Sequence, residues 1–189
     1  MNNYWDIRYK NGGNSGAGSY GDFATHKAEV INKFILDNEI EIVTEYGCGD
    51  GNQLGLFDGY KEYYGYDISP SILEKNRETY KNVERIHFCD NRDDLPKSDL
   101  SLSLDVVYHI MDDADLIEYL KYMFSKSNKY VLIYTSNHDD NSGNTVNDHM
   151  IHRIITNYVE GHVKGFELID EIDNSLPTSA KFFLYKRTK

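Results

Sequence analysis

Apolar residues recur along this chain in two periods. Ala24, Ala28, Ile31 and Ile35 fall on one helical face, with Lys27 and Glu29 elsewhere. Short apolar runs then alternate with further helical patterns. They predict strands over about 40–46, 62–67, 83–89, 99–105 and 130–134. A helix is expected to start at Gln53–Phe57, a second to run from the Ser69-Pro70 cap to about Tyr80, and others over 113–126 and 150–159. The polar stretch Asn137 to Asp148 reads as a loop. Two consecutive strands, about 166–172 and 181–186, end the pattern. Alternating strands and helices predict an α/β fold: a Rossmann-like, doubly wound, mostly parallel seven-stranded sheet with an antiparallel C-terminal edge hairpin. No repeat or linker asks for a second domain, so 1–189 is expected to be a single domain. Within it, 1–21 forms an N-terminal lid or substrate segment, rich in aromatics and then in Gly and Ser.

Charge narrows the partners. The formal net charge of −11 opposes phosphate backbones, and Lys and Arg are scattered singly, so no nucleic acid is expected. No apolar run approaches the roughly 20 residues of a membrane span, and the first residues lack a basic start and an apolar stretch. The two cysteines, Cys48 and Cys89, have no metal-type spacing and read as free thiols of a cytoplasmic protein, monomer or homodimer.

The strand at 40–46 ends in Glu45-Tyr46-Gly47-Cys48-Gly49-Asp50-Gly51, and the next strand ends in Asp67, 22 residues after Glu45. Glycines at alternate positions allow a sharp turn and expose bare amides to a ligand. A carboxylate about 20 residues on can accept both hydroxyls of a ribose. A dinucleotide fingerprint would need glycine at position 52, which is Asn52, and no G-K-[S/T] follows. The unit therefore predicts a nucleoside ligand other than a dinucleotide.

The turn and Asp67 resemble motif I and the ribose-binding acid of class I S-adenosylmethionine-dependent methyltransferases. The resemblance extends to Trp5-x-x-Arg8-Tyr9, the run 15–21, Leu102 to His109 and His149-Met150-Ile151-His152-Arg153, and is to a bacterial subgroup often associated with glycan and capsule assembly. It implies S-adenosylmethionine as cofactor, S-adenosylhomocysteine as product, and cofactor contacts from Glu45, Gly47, Cys48, Gly49, Gly51, Gln53, Asp67, Ile68, Asp90, Asn91, Leu104 and Asp105. Asp90 would take the adenine amino group.

Methyl transfer from a sulfonium needs alignment, and an oxygen or nitrogen acceptor must also lose a proton. His109 is the expected base. If the chain turns helical after strand 4, Asp105 and His109 share a face and the carboxylate orients the imidazole, with Tyr108 beside them. His149 and His152, three apart on the expected helix, form with Arg153 a cationic cluster suited to an anionic acceptor. Trp5, Arg8, Tyr9 and Tyr20 would line the acceptor space. The expected acceptor is a small anionic molecule, such as a sugar, a nucleotide-linked sugar or a phosphoramidate; the alternatives are a nucleic-acid or protein methyltransferase, or a module that binds S-adenosylmethionine without catalysis. Asn137-His138-Asp139-Asp140 with Asp105 matches the magnesium site of catechol-type O-methyltransferases poorly, so no metal is expected.

Overall fold

The strand Ile42–Tyr46 (β1) buries its last four residues, Val43, Thr44, Glu45 and Tyr46, as a strand covered on both faces does. The computed structural model describes residues 4–143 and 149–188. Within these the chain divides into two compact units, one ending at Asp99 and one beginning at Leu100.

In the first unit, β1 pairs in parallel with Glu62–Tyr66 (β2), with Glu45 opposite Gly65, and β2 pairs in parallel with Ile86–Cys89 (β3), with Tyr66 opposite Cys89. The helix Gly21–Asp37 (α2) buries Ala24, Lys27, Ala28, Ile31 and Ile35, spaced three and four apart. The helix Pro70–Thr79 (α3) opens on Ser69, whose side chain accepts from the Ile72 amide, with Pro70 in its first turn. Beside β1 lies the start of the strand Ser98–Leu104 (β4): Thr44 and Ser98 hydroxyls meet at 2.8 Å, and Asp99 Oδ2 accepts from the amides of Glu41 and Ile42.

In the second unit the strand order is β4, Ser127–Ser136 (β5), Ala180–Arg187 (β7) and Phe166–Ile172 (β6). β7 runs antiparallel to both β5 and β6, and β6 carries a bulge between Leu168 and Asp170. The helix Asp113–Lys126 (α4) starts at Asp112, whose carboxylate accepts from the amides of Ala114 and Asp115. Its buried Leu116, Leu120, Met123 and Phe124 each contribute about 1.5–3 kcal/mol by leaving water. Together the elements make a Rossmann-like α/β fold of seven strands, mostly parallel, with antiparallel C-terminal strands.

Three elements depart from expectation. Residues 4–10 form a helix (α1, Tyr4–Lys10), and Ala17–Ser19 form a 3-10 turn, where only an aromatic start and a glycine run were legible. After the glycine turn comes a single 3-10 turn, Leu54–Leu56, in place of a helix; Gly55 inside it and Gly59 just beyond give little support to a longer element. The last helix starts at Ile155 (α5, Ile155–His162), so His149, His152 and Arg153 precede it in irregular chain. Residues 144–148 of the expected polar loop lie outside the described residues.

Candidate functional site

In the first unit, Gly47, Gly49 and Gly51 all have left-handed φ, of 83°, 54° and 75°. Their turn is tied to the end of β2, where the Tyr66 carbonyl accepts from the amides of Gly47 (2.7 Å) and Cys48 (3.0 Å). Asp67 follows at once. Its Oδ2 accepts from the Gly49 amide at 3.0 Å and its Oδ1 from the Ser69 amide at 2.9 Å. A carboxylate offers about four lone-pair sites, so capacity remains for ligand hydroxyls. Burial pushes the Asp67 carboxyl up to about 6, against the pull of its amide donors.

Two residues of this turn's support carried no sequence signal. Asn76 Nδ2, on α3, donates to the Gly49 carbonyl at 2.8 Å, and the Tyr80 hydroxyl donates to the Gly51 carbonyl at 2.8 Å. A β-carbon at Gly51 would stand 3.1 Å from the Tyr80 ring and 3.2 Å from Asn76 Oδ1. Only their positions nearly two and three helical turns beyond Pro70 could have suggested them.

The other expected cofactor residues are dispersed around the turn. Glu45 is buried, accepts the Tyr63 hydroxyl at 2.5 Å, and is pushed up to about 7 by burial, opposed by that bond and by the Lys27 charge. The Cys48 thiol is buried and raised well above its usual range, chiefly by burial. The Gln53 amide nitrogen donates inward to the Ala24 carbonyl at 2.9 Å. Ile68, directly after the acid, is 43% exposed and offers an apolar surface. Asp90 is exposed and pairs with Arg77 at 2.8 Å, while Asn91 Oδ1 accepts from the Asp93 amide. Of the expected N-terminal residues, Tyr9 and Tyr20 reach the glycine turn. Trp5 packs against Tyr4 and Tyr9, and Arg8 lies over the Trp5 ring and donates to the Asn14 carbonyl.

In the second unit, Leu104 ends β4 and Asp105 takes a left-handed φ of 59°. A non-glycine residue held there is strained, and such strain clusters at functional positions. The chain then makes a 3-10 turn, Val107–His109, so the helical alignment expected for Asp105 and His109 does not form. Tyr108 instead donates its hydroxyl to Asp105 Oδ1 at 2.9 Å, and its phenol is raised far above the usual range by burial and by that carboxylate.

The His109 ring is oriented from a distance. Its Nδ1 lies 2.9 Å from the His149 carbonyl oxygen, and the two imidazoles stack at 5.1 Å and 11°. A carbonyl only accepts, so Nδ1 carries the proton and Nε2 of the neutral ring keeps its lone pair. His152 Nδ1 lies 2.6 Å from Ser136 Oγ, and Asn141 brackets the His152 backbone, accepting from its amide and donating to its carbonyl. Its ring meets those of His138 and Tyr108. Burial, then the His138 charge, lowers the His152 pKa below the usual value.

Arg153 stands apart from the expected cationic cluster. It is 7% exposed and donates to Asp113 Oδ1 (2.8 Å) and to the carbonyls of Ile110 (2.9 Å), Met111 (2.9 Å) and Ile151 (3.4 Å). Its donors bolt the chain before α5 to the chain before α4. Among the described residues no three His, Cys, Asp or Glu side chains are grouped to hold a metal ion.

Residues 44–126 match the family described as Methyltransferase domain. The fold is that of solved methyltransferases. Magnesium protoporphyrin IX methyltransferase from Synechocystis PCC 6803, with S-adenosylhomocysteine bound, aligns at TM-score 0.72 and 14% identity over 98% of this chain and 97% of that one. The N-methyltransferase NodS from Bradyrhizobium japonicum WM9, also with S-adenosylhomocysteine, aligns at TM-score 0.73 and 12% identity over 100% of both chains. An S-adenosylmethionine-dependent methyltransferase from Clostridium acetobutylicum ATCC 824 aligns at 0.66 and 14% identity over 86% and 91%. No curated protein matches this chain by sequence. The matched segment is less than half of the chain and contains the glycine turn, Asp67 and His109. S-adenosylmethionine is the cofactor that the sequence resemblance implies. Asp67, with acceptor capacity left over, has the chemistry to accept the hydroxyls of its ribose.

Proposed function

We propose that the chain transfers a methyl group to a small acceptor carrying an anionic group, such as a sugar, nucleotide-linked sugar or phosphoramidate intermediate of surface-polysaccharide synthesis in a bacterial cytoplasm. The observation that carries the catalytic half of this reading is the His109–His149 hydrogen bond, which leaves a basic nitrogen on an oriented ring. The −11 charge supports a small acceptor over a nucleic acid. The likeness of the His-x-x-His-Arg stretch to the glycan-associated subgroup supports the acceptor class.

When bound, the cofactor supplies an electrophilic methyl on a sulfonium. In this reading Asp67 holds its ribose beside Gly47, Gly49 and Gly51, with Glu45, Cys48, Gln53, Ile68, Asp90 and Asn91 around it. His109 Nε2 takes the acceptor's proton as the new bond to carbon forms. Tyr108, held by Asp105, orients the acceptor, and His149 and His152 meet its anionic group. The chain acts as one methyltransferase domain, monomer or homodimer, needing no metal.

The test is transfer of tritiated methyl from S-adenosylmethionine in the presence of a small-metabolite extract, tRNA and duplex DNA. Label is expected in the low-mass fraction. Label confined to tRNA or DNA would overturn the acceptor class.

A further inference from the structure

The segment 4–20 does not hang free of the glycine turn. Ser15 and Asp50 exchange a reciprocal pair of bonds: the Ser15 amide donates to Asp50 Oδ2 and the Asp50 amide donates to Ser15 Oγ, both at 2.9 Å. Asp50 Oδ2 also accepts the Tyr20 hydroxyl at 2.7 Å. Asn52 Nδ2 donates to the Ser19 carbonyl at 2.6 Å. Further back, Asp6 Oδ1 accepts from the hydroxyls of Ser69 (2.8 Å) and Ser71 (2.7 Å) at the start of α3.

These ties carry Tyr9 onto the turn. Its hydroxyl lies 3.1 Å from Ser15 Oγ, and a β-carbon at Gly49 would stand 3.2 Å from the Tyr9 hydroxyl and 2.3 Å from Ser15 Oγ. Tyr9 is half-buried there, beside the Gly49 whose amide donates to Asp67, and burial, then the Asp67 charge, raises its phenol. The face of Gly49 is therefore the seat of the N-terminal segment.

We infer that segment 4–20 forms a wall of the cofactor site, with Tyr9 contacting the ligand and Asp50, Ser15 and Tyr20 as positioning residues whose latch sets the ligand's rate of release. This rests on the cofactor reading above. Asp67 provides affinity, and the latch provides residence time.

The chain's single tryptophan, Trp5, lies on α1 and packs 5.9 Å from Tyr9, so its fluorescence reports this wall directly. S-adenosylhomocysteine should change Trp5 emission in the intact protein, and stopped-flow displacement should give a release rate. Tyr20→Phe and Ser15→Ala should each raise that rate about tenfold, by loss of a hydrogen bond to a charged or buried group. Circular dichroism of both variants checks that they fold, and Ser15→Ala stands in if Tyr20→Phe does not. If calorimetry shows binding while Trp5 emission is unchanged, or if release from both variants keeps the wild-type rate, the wall is not on the ligand and this inference falls alone. If the wild-type protein binds no S-adenosylhomocysteine, the cofactor reading falls and this inference with it.

Discussion

In the proposed reading the glycine turn meets its ligand through one carboxylate, on a turn whose own amides are tied within the protein, and the tyrosine–histidine cluster meets its ligand through ring nitrogens and a phenol. The turn's shape is set by three left-handed glycines and an acid, within 21 residues of chain (47 to 67). The cluster's chemistry is set across about 40 residues, where the His149 carbonyl fixes the His109 tautomer and Arg153 joins Asp113. The contrast teaches that one half of the proposed site is specified by local backbone and the other by long-range placement of side chains. The two halves should therefore fail differently.

The largest effect is expected where the long-range placement is bolted. Arg153→Met removes the donor to the carbonyls of Ile110, Met111 and Ile151 and leaves Asp113 only the Tyr158 hydroxyl, and should lower stability by about 3 kcal/mol in urea unfolding. A loss under about 1 kcal/mol would mean that the cluster does not depend on this residue. Next, His109→Gln should lower turnover about 100-fold while S-adenosylhomocysteine affinity, read by calorimetry, stays within twofold. Lost affinity would instead erase the division between the halves.

The turn was legible because its information is local. Strand, alternate glycines and acid follow one another in sequence, and each has a backbone reason to be where it is. The cluster was legible only as residue types. His109 was identifiable as a candidate base, but its tautomer depends on a carbonyl 40 residues away. The helix expected under His149 and His152 does not form because Asn141 and Ser136 hold the His152 backbone and ring in irregular chain. Likewise α1 was hidden: Tyr4–Lys10 has no buried residue to give a helical stripe, and it is held by polar ties such as Asp6 to Ser69 and Ser71. The strand boundaries, which rest on burial patterns, came within three residues at each end, the widest differences falling at the starts of β3 and β5.

Within the turn, Asp67→Asn should weaken S-adenosylhomocysteine binding by about 2 kcal/mol, or roughly 30-fold, since a charged acceptor is lost while the fold is kept. Unchanged affinity in calorimetry would show that the ribose acid lies elsewhere. The smallest effect is a pH slope. With the Asp67 carboxyl near 6, ligand affinity should fall up to about tenfold per pH unit below that value and level off above it. The same acid contributes the opposite slope to the free protein's stability. Its folded pKa exceeds its unfolded one of 3.8, so the folded state keeps a proton that the unfolded chain releases, and the contribution drops as pH rises from about 4 to 6. Thermal melts of the ligand-free protein should show this slope, and Asp67→Asn should flatten it; parallel slopes would assign the titration to another group.

Asp105 has a consequence for anyone breeding a sturdier version of this enzyme. Its left-handed backbone is a conformation that glycine adopts without strain and an aspartate only at a cost on the order of 1 kcal/mol or more. A selection that scores heat resistance alone would drift toward Asp105→Gly, and the winners would leave the Tyr108 hydroxyl without its carboxylate. Thermal screens on this scaffold therefore need an activity gate at that one position, because there the hardier molecule and the working molecule want different residues.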